Sequence, residues 1–523
     1  MLTYNLADLW EAVAEQIPDR IAVVCGDRRR TYNELDQRAN RLANWLVDQG
    51  IEPGQHIGLY LTNGIEYLES MLACFKVQAV PINVNYRYVA GELRYLFDDA
   101  DVVGVFVQPE FEHRFAEVAP DLPDLQWSLT LGRSYEDALA MSSPDPLVRV
   151  RSGDDRYVIY TGGTTGMPKG VVWRHEDAFF ACIGGADPTR QQGPISSPDE
   201  VLDRILDGAV VFLPVAPLMH AAGQWTSLSW LYAGGTVVLL PGSLDGVVVW
   251  QTVERERVNI MTVVGDPVTR PLVDAWIEHG PFDVSSLFSI GSGGAPLTPS
   301  LKDQLIALVP NAAVVDGFGS SETGAQGSQR MEAGADSVGA TVFTPYPSTT
   351  VLDEATHIPI VPGSGAVGRV ALRGRIPMGY YNAPEKTAQT FLEIDGIRWV
   401  LTGDMATIET DGTIRLLGRG SGCINTGGEK VFPEEVEASI KTHPAVYDVL
   451  VVGVDDDRWG QRVAAVVQTT AGKNVTLDEL VEHCRASIAG YKVPRSLALV
   501  ETIERSPAGK ADYRWAKSVA MSN

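Results

Sequence analysis

Apolar positions recur at helical spacing over residues 5–16 and again over 32–49, with the short apolar run Ile21-Ala22-Val23-Val24 between them. The chain therefore opens as helix, strand, helix. Thr31 or Asn33, followed by Glu34, marks the start of the second helix. The alternation continues through residues 56–107. An apolar strand leads to a helix with Tyr67, Leu68, Met71 and Leu72 on one face; the strand Ala79-Val80-Pro81-Ile82, another helix and a strand at 102–107 follow. Strands alternating with helices predict a parallel sheet covered on both faces. Residues 142–155 are polar and read as a surface connection. Residues 187–207, with Pro188, Pro194 and Pro198, read as a loop-like surface insertion with a short helix near Glu200.

Beyond the insertion, apolar strands at 210–214, 258–264, 287–292 and 313–315 each run into glycine- or proline-bearing loops. Glycines at the carboxyl ends of parallel strands let a ligand lie against the backbone. Asp411-Gly412 marks a hairpin turn before a strand at 413–417. Three glycines in Gly418-Arg419-Gly420-Ser421-Gly422 lower the cost of large backbone rotations, so this stretch is the linker candidate. The roughly 100 residues after it suffice for a small domain. They carry a helix opening at Pro433 with Glu434 and Glu435 in its first turn, strands at 446–454 and 462–469, and a helix at 477–489. The expected fold is α/β. A large N-terminal domain of layered sheets and helices spans residues 1–418, a hinge 419–422, and a small mobile α+β domain 423–523.

Composition narrows the function. The 523 residues exceed one core, and 45% hydrophobic with 21% charged residues is ordinary for a globular protein. A formal charge of −24 disfavours nucleic acid and anionic membrane as partners. No apolar run is long enough for a membrane span, and the start lacks the blocks of a signal peptide, so a cytoplasmic protein is expected. Five scattered cysteines without a CxxC pair point to neither disulfides nor zinc.

Candidate chemistry concentrates in Tyr160-Thr161-Gly162-Gly163-Thr164-Thr165-Gly166-Met167-Pro168-Lys169-Gly170, a loop between two extended segments. Gly162 and Gly163 admit backbone N–H groups to phosphate oxygens, Thr161, Thr164 and Thr165 add hydroxyls, and Lys169 adds a compact charge. No Lys-Ser/Thr pair closes the run, so it is not the nucleotide loop that ends in GK[ST]. A second segment, Asp316-Gly317-Phe318-Gly319-Ser320-Ser321-Glu322, offers an aromatic to stack on a purine, a hydroxyl and a carboxylate able to hold Mg²⁺.

The first loop resembles the YTSGTTGxPKG signature of the adenylate-forming superfamily, which includes acyl-CoA synthetases, luciferases and peptide-synthetase adenylation domains; Gly162 stands where serine is usual. The resemblance covers nearly the whole chain, in the style of bacterial fatty-acid and steroid-side-chain CoA ligases. It implies ATP, Mg²⁺ and coenzyme A as co-substrates or cofactors. On it, Gly293, Gly294 and Ala295 contact adenine, Asp316, Gly317, Phe318 and Ser321 complete the nucleotide site, and Thr164 and Glu322 serve the metal. Asp404 takes the ribose hydroxyls, with Arg419 beside it. His220 lies beside the acyl carboxylate, Ser421 is the hinge pivot, Gly427 and Gly428 line the CoA tunnel, and Lys510 on Pro507-Ala508-Gly509-Lys510 is the adenylation lysine.

A carboxylate lacks a leaving group, and adenylation supplies one. The expected reaction is acyl-AMP formation with pyrophosphate release, then acyl transfer to CoA. Gly265 and Gly291 are expected to leave the acyl pocket spacious, while Trp225, Met219 and Val264 keep it apolar, which favours a long-chain or bulky hydrophobic acid. Two alternatives stand beside this reading: a ligase that loads a carrier protein, and a catalytically idle nucleotide-binding scaffold. The partners expected are small molecules, and a homodimer is left open.

Overall fold

The structure is a computed structural model that describes residues 2–163, 166–332, 342–456, 458–505 and 511–522. Its opening follows the apolar pattern. Asn5 caps the helix Leu6–Gln16 by accepting from the Ala7 N–H, and Thr31 with Glu34 forms a capping box on Tyr32–Asp48. These helices and Ile65–Lys76 share the largest apolar core. Lys76, fully buried there, is neutralised by Glu11 at 2.7 Å and Asp36 at 2.8 Å.

Two sheets form the body. Val80–Asn83, His56–Tyr60, Val102–Val107 and Trp127–Thr130 lie in that order, all parallel, as the strand-helix alternation predicts. In the longer sheet, Ile21–Cys25, Thr236–Leu239, Val211–Pro214, Ile260–Val263, Ser289–Ser292 and Ala313–Ser320 are parallel neighbours in that order. From Gly324–Met331 onward its pairing turns antiparallel and reaches Ile414–Arg419 and Ile397–Ile408. The Gly/Thr loop lies in a third sheet: Arg156–Gly163 and Gly166–Arg174 form an antiparallel hairpin, to which Gly379–Tyr380 adds a short third strand.

The C-terminal region has its own sheet of Glu429–Val431, Ile424–Thr426, Gly460–Thr469, Val446–Asp456 and Ser496–Val500, packed by Pro433–Lys441, Leu477–Arg485 and Tyr513–Ser522. Two sequence expectations change. Residues 187–207 are not a loose insertion: Ile195 and Val201 are buried in the main core, and the Asp187 carboxylate accepts from the N–H groups of Thr189, Gln192 and Gly193. Within the 142–155 connection, Arg151 is buried and paired at 2.8 Å with both Asp8 and Glu11.

Candidate active site

Strand ends converge on one region. Ser292 pairs in register with Asp316, so the turn Gly293-Gly294-Ala295 lies beside the segment that starts at Gly317. A Cβ on Gly293 would stand 3.4 Å from the Gly317 carbonyl, and one on Gly294, at φ +84°, would stand 3.6 Å from Val264. Asp316 is buried against Lys302 at 2.9 Å, and Lys302 also donates to Gln329. Burial raises the Asp316 carboxyl above its ordinary value, and Lys302 only partly offsets this. Phe318 leans on Phe343 with ring centres 4.9 Å apart.

The turn after Ala313–Ser320 is held from both sides. Ser320 Oγ accepts from the Glu322 N–H, and Trp173 Nε1 donates to the Ser321 carbonyl at 3.0 Å. Across the hairpin Thr161 pairs with Lys169. Lys169 Nζ lies 4.3 Å from the centre of the Tyr380 ring, and the Tyr380 hydroxyl donates to Glu322 Oε1 at 2.9 Å. Burial lowers the Lys169 ammonium below its ordinary value, against the pull of Glu322; Lys386 and Arg419 push the same way as burial. Gly162 and Gly163 lie in the same strand as Thr161. Thr164, Thr165 and Lys510 lie outside the described residues.

Asp404 and Arg419 face each other across antiparallel strands, with Nε to Oδ1 at 3.5 Å. Glu434, on the first turn of Pro433–Lys441, accepts from the Arg419 N–H at 3.3 Å. Gly418 is required there: its φ is +134°, and a Cβ would overlap the Glu434 carboxylate. Burial pushes the Glu434 carboxyl up, and Asp404 adds to it. Ser421 lies in the short turn Gly420–Gly422. Gly427 and Gly428, at φ +61° and +87°, make the turn between Ile424–Thr426 and Glu429–Val431, where the Gly427 N–H donates to the Trp459 carbonyl.

His220 precedes the helix Ala221–Tyr232. Its turn is anchored by Asn63, which accepts from the Leu218 N–H, and by buried Asn83, which donates to the Met219 and Tyr160 carbonyls and accepts from the Tyr160 N–H. Trp225 is buried edge-on to Trp173, ring centres 6.4 Å apart. Of the two glycines expected to keep the acyl pocket spacious, Gly265 lies tight against backbone, whereas Gly291 is crowded only by a side-chain methyl. A Cβ at Gly265, φ +52°, would stand 2.4 Å from the Pro296 carbonyl, and one at Gly291 would stand 3.0 Å from Thr262 Cγ2. Gly265 thus permits a helix start to approach the backbone at 295–296.

The C-terminal region docks here through Lys441, at the end of the helix Pro433–Lys441, whose Nζ is 2.9 Å from Asp266 and 3.1 Å from Asp448. Tyr447 Oη donates to Asp274 at 3.0 Å. Asn83, Lys302 and Lys441 carry no motif signal; Glu434 is marked in the sequence only as an acid in a helix's first turn, and Tyr380 only as part of Gly379-Tyr380-Tyr381, which resembles a block of the adenylate-forming superfamily.

An AMP-forming, acid-activating enzyme, with a large α/β body carrying the 156–174 hairpin and a small C-terminal domain, is the class to which this fold belongs. Matches to family models agree: residues 10–381 match the AMP-binding enzyme family and residues 435–510 its C-terminal domain, and the chain belongs to that family. It is 45% identical to the 3-oxocholest-4-en-26-oate–CoA ligase of Rhodococcus rhodochrous, over 99% of this chain and 96% of that protein. Identity is also 45% to a medium/long-chain-fatty-acid–CoA/3-oxocholest-4-en-26-oate–CoA ligase of Mycobacterium marinum, over 98% and 96%. The crystal structure of the anthranilate CoA ligase AuaEII with anthranoyl-AMP superposes with a TM-score of 0.86 at 23% identity, covering 99% of this chain and 98% of that one, a likeness of fold.

Proposed function

We propose that this protein is an ATP-dependent acyl-CoA ligase that activates a long-chain fatty acid or a bulky steroid-side-chain acid. The observation that carries the reading is the meeting of Lys169 and Glu322 on Tyr380, with Asp404 and Arg419 alongside. The substrate class is supported by the relatives' activities and by the apolar Trp225 and Met219 near His220.

The acid's carboxylate oxygen attacks the α-phosphorus of ATP, and the bond to the bridging oxygen breaks as pyrophosphate leaves. Lys169 and Lys510 oppose the charge that develops on the phosphates. Asp404 accepts from ribose hydroxyls, and the 293–295 and 316–318 segments hold the base. CoA thiolate then attacks the acyl carbonyl carbon and the C–O bond to AMP breaks. Gly427-Gly428 lines the CoA approach after rotation at Ser421. The division into 1–418, hinge 419–422 and 423–523 is supported by family matches that fall on either side of it.

Among the described residues no three His, Cys, Asp or Glu side chains cluster to bind a metal. That suits Mg²⁺, which is commonly held by one or two carboxylates plus substrate phosphates. Glu322, with Thr164, would hold it, and it would supply charge neutralisation at the phosphates.

The test is pyrophosphate release with MgATP across short, long-chain, aromatic and steroid-side-chain acids, each with and without CoA. Release confined to hydrophobic acids, with thioester only when CoA is added, supports the proposal. Release without thioester would replace CoA by a carrier protein, and no release with any acid would leave an idle nucleotide-binding scaffold.

A further inference from the structure

Tyr380 is placed with unusual firmness. Gly379 and Tyr380 pair with Val172 and Val171, the Met378 N–H donates to the Val172 carbonyl, and the Tyr381 N–H donates to the Gly170 carbonyl. The Tyr380 N–H donates to Thr387 Oγ1 at 2.9 Å. Gly379, at φ +151°, comes so close to Thr387 that a Cβ would stand 2.5 Å from its methyl carbon. The ring is 9% exposed and meets Phe391 edge-on at 5.7 Å. It is therefore a fixed post built onto the phosphate-loop hairpin itself.

The post holds opposite charges by two different means. Its π face carries the Lys169 ammonium at 4.3 Å, and its hydroxyl carries Glu322 Oε1 at 2.9 Å. Among the described residues Lys169 and Glu322 meet through Tyr380 rather than in a direct ion pair, although the carboxylate is near enough to raise the ammonium's proton affinity. Without the post, the two would be free to close on each other in a partly dry site, where such a pair gains strength. A closed pair would have to be broken before phosphates reached the lysine and a cation reached the carboxylate.

We propose that Tyr380 is a positioning residue that keeps Lys169 and Glu322 apart and presents one to the triphosphate and the other to its divalent cation. This rests on the nucleotide-binding reading above. The ring face and the hydroxyl act separately, so two substitutions divide them. Tyr380→Phe keeps the cation–π face and frees the carboxylate; Tyr380→Leu removes both supports.

The experiment measures ADP binding by calorimetry to the full chain, once in EDTA and once in excess Mg²⁺. For Tyr380→Phe, the gain produced by Mg²⁺ falls about tenfold or more, the scale of one charge-assisted hydrogen bond, and affinity in EDTA falls less than in Tyr380→Leu. Tyr380→Leu loses affinity in both conditions. A thermal melt of each variant reports folding, and rescue of the Mg²⁺ gain in Tyr380→Phe by higher Mg²⁺ supports the assignment. An undiminished Mg²⁺ gain in Tyr380→Phe, or identical losses in the two variants, overturns it. Failure of the wild type to bind ADP at all would instead overturn the nucleotide-binding reading.

Discussion

Lys441 offers the sharpest test of how the C-terminal region is seated. Its side chain is 14% exposed, and its partners Asp266 and Asp448 are 11% and 14% exposed. Burial works against the ammonium, but Asp266 and Asp448 outweigh it and hold Lys441 above the ordinary lysine range. In Lys441→Met the two carboxylates fare differently. Asp448 keeps Arg505, whereas Asp266 keeps only the Thr298 N–H and hydroxyl, both on its other oxygen. One carboxylate is thus left half-compensated, so the loss belongs at or below the lower end of the roughly 3–5 kcal/mol for breaking a buried pair, about 2–3 kcal/mol. The remaining docking contacts, Tyr447 on Asp274 and Arg270 over the Tyr447 ring, are single interactions worth about 1 kcal/mol each and do not replace it.

A docking orientation weakened by about 2–3 kcal/mol loses roughly 30- to 150-fold in population relative to its alternatives. The assay is a double-mutant cycle of Lys441→Met and Asp266→Asn, read separately as pyrophosphate release and as thioester formation from synthetic acyl-AMP. The expected outcome is a coupling of about 2 kcal/mol, within the range for contacting residues, and a change of tenfold or more in the ratio of the two half-reactions. Additive substitutions, or an equal fall in both half-reactions, would refute the reasoning: the pair would then be structural and indifferent to orientation.

Other expectations follow from single sites. His175 is buried, accepts from the Leu6 N–H on Nδ1, and burial drives its pKa down to about 3. The unfolded chain takes up that proton near pH 6.5 and the native one does not, so stability falls as pH drops from about 6.5 towards 3, at about 1.4 kcal/mol per unit. Urea melts between pH 7 and 4.5 should show this slope and lose most of it in His175→Asn. Glu437 is displaced in the opposite sense: burial, with Glu434 adding, raises it to about 8. Its contribution is present below the unfolded value of about 4.3 and is lost as pH rises through 8, and Glu437→Gln should flatten melting of the C-terminal region over that window. Gly418→Ala forces a methyl into the Glu434 carboxylate at a φ of +134°, so it should cost about 1–3 kcal/mol and slow both half-reactions; a wild-type melt and wild-type rates would show that the Glu434 contact is dispensable.

What was legible in the chain was whatever its chemistry keeps local. The Gly/Thr hairpin and the Gly-Phe-Gly-Ser-Ser-Glu segment stand out because each gathers glycines, hydroxyls and a charge within a few residues, and the parallel sheets follow from the strand-helix alternation. The residues that hold those motifs in place carry no such mark. Tyr380 reaches Glu322 across 58 positions, Asn83 reaches Tyr160 across 77, and Lys441 reaches Asp266 across 175. Each is a partner only once the sheets have formed. Residues 187–207 misled for a related reason, since Ile195 and Val201 are too far apart to set up a periodicity, yet both enter the main core. Gly265 misled through its chemistry: a glycine in an apolar loop reads as space, whereas here it marks backbone against backbone. The motif residues therefore tell which reaction is attempted, and the distant partners decide whether ammonium, carboxylate and domain stand where that reaction needs them. Tyr380 and Lys441 are the two positions at which that second layer of control can be measured apart from the first.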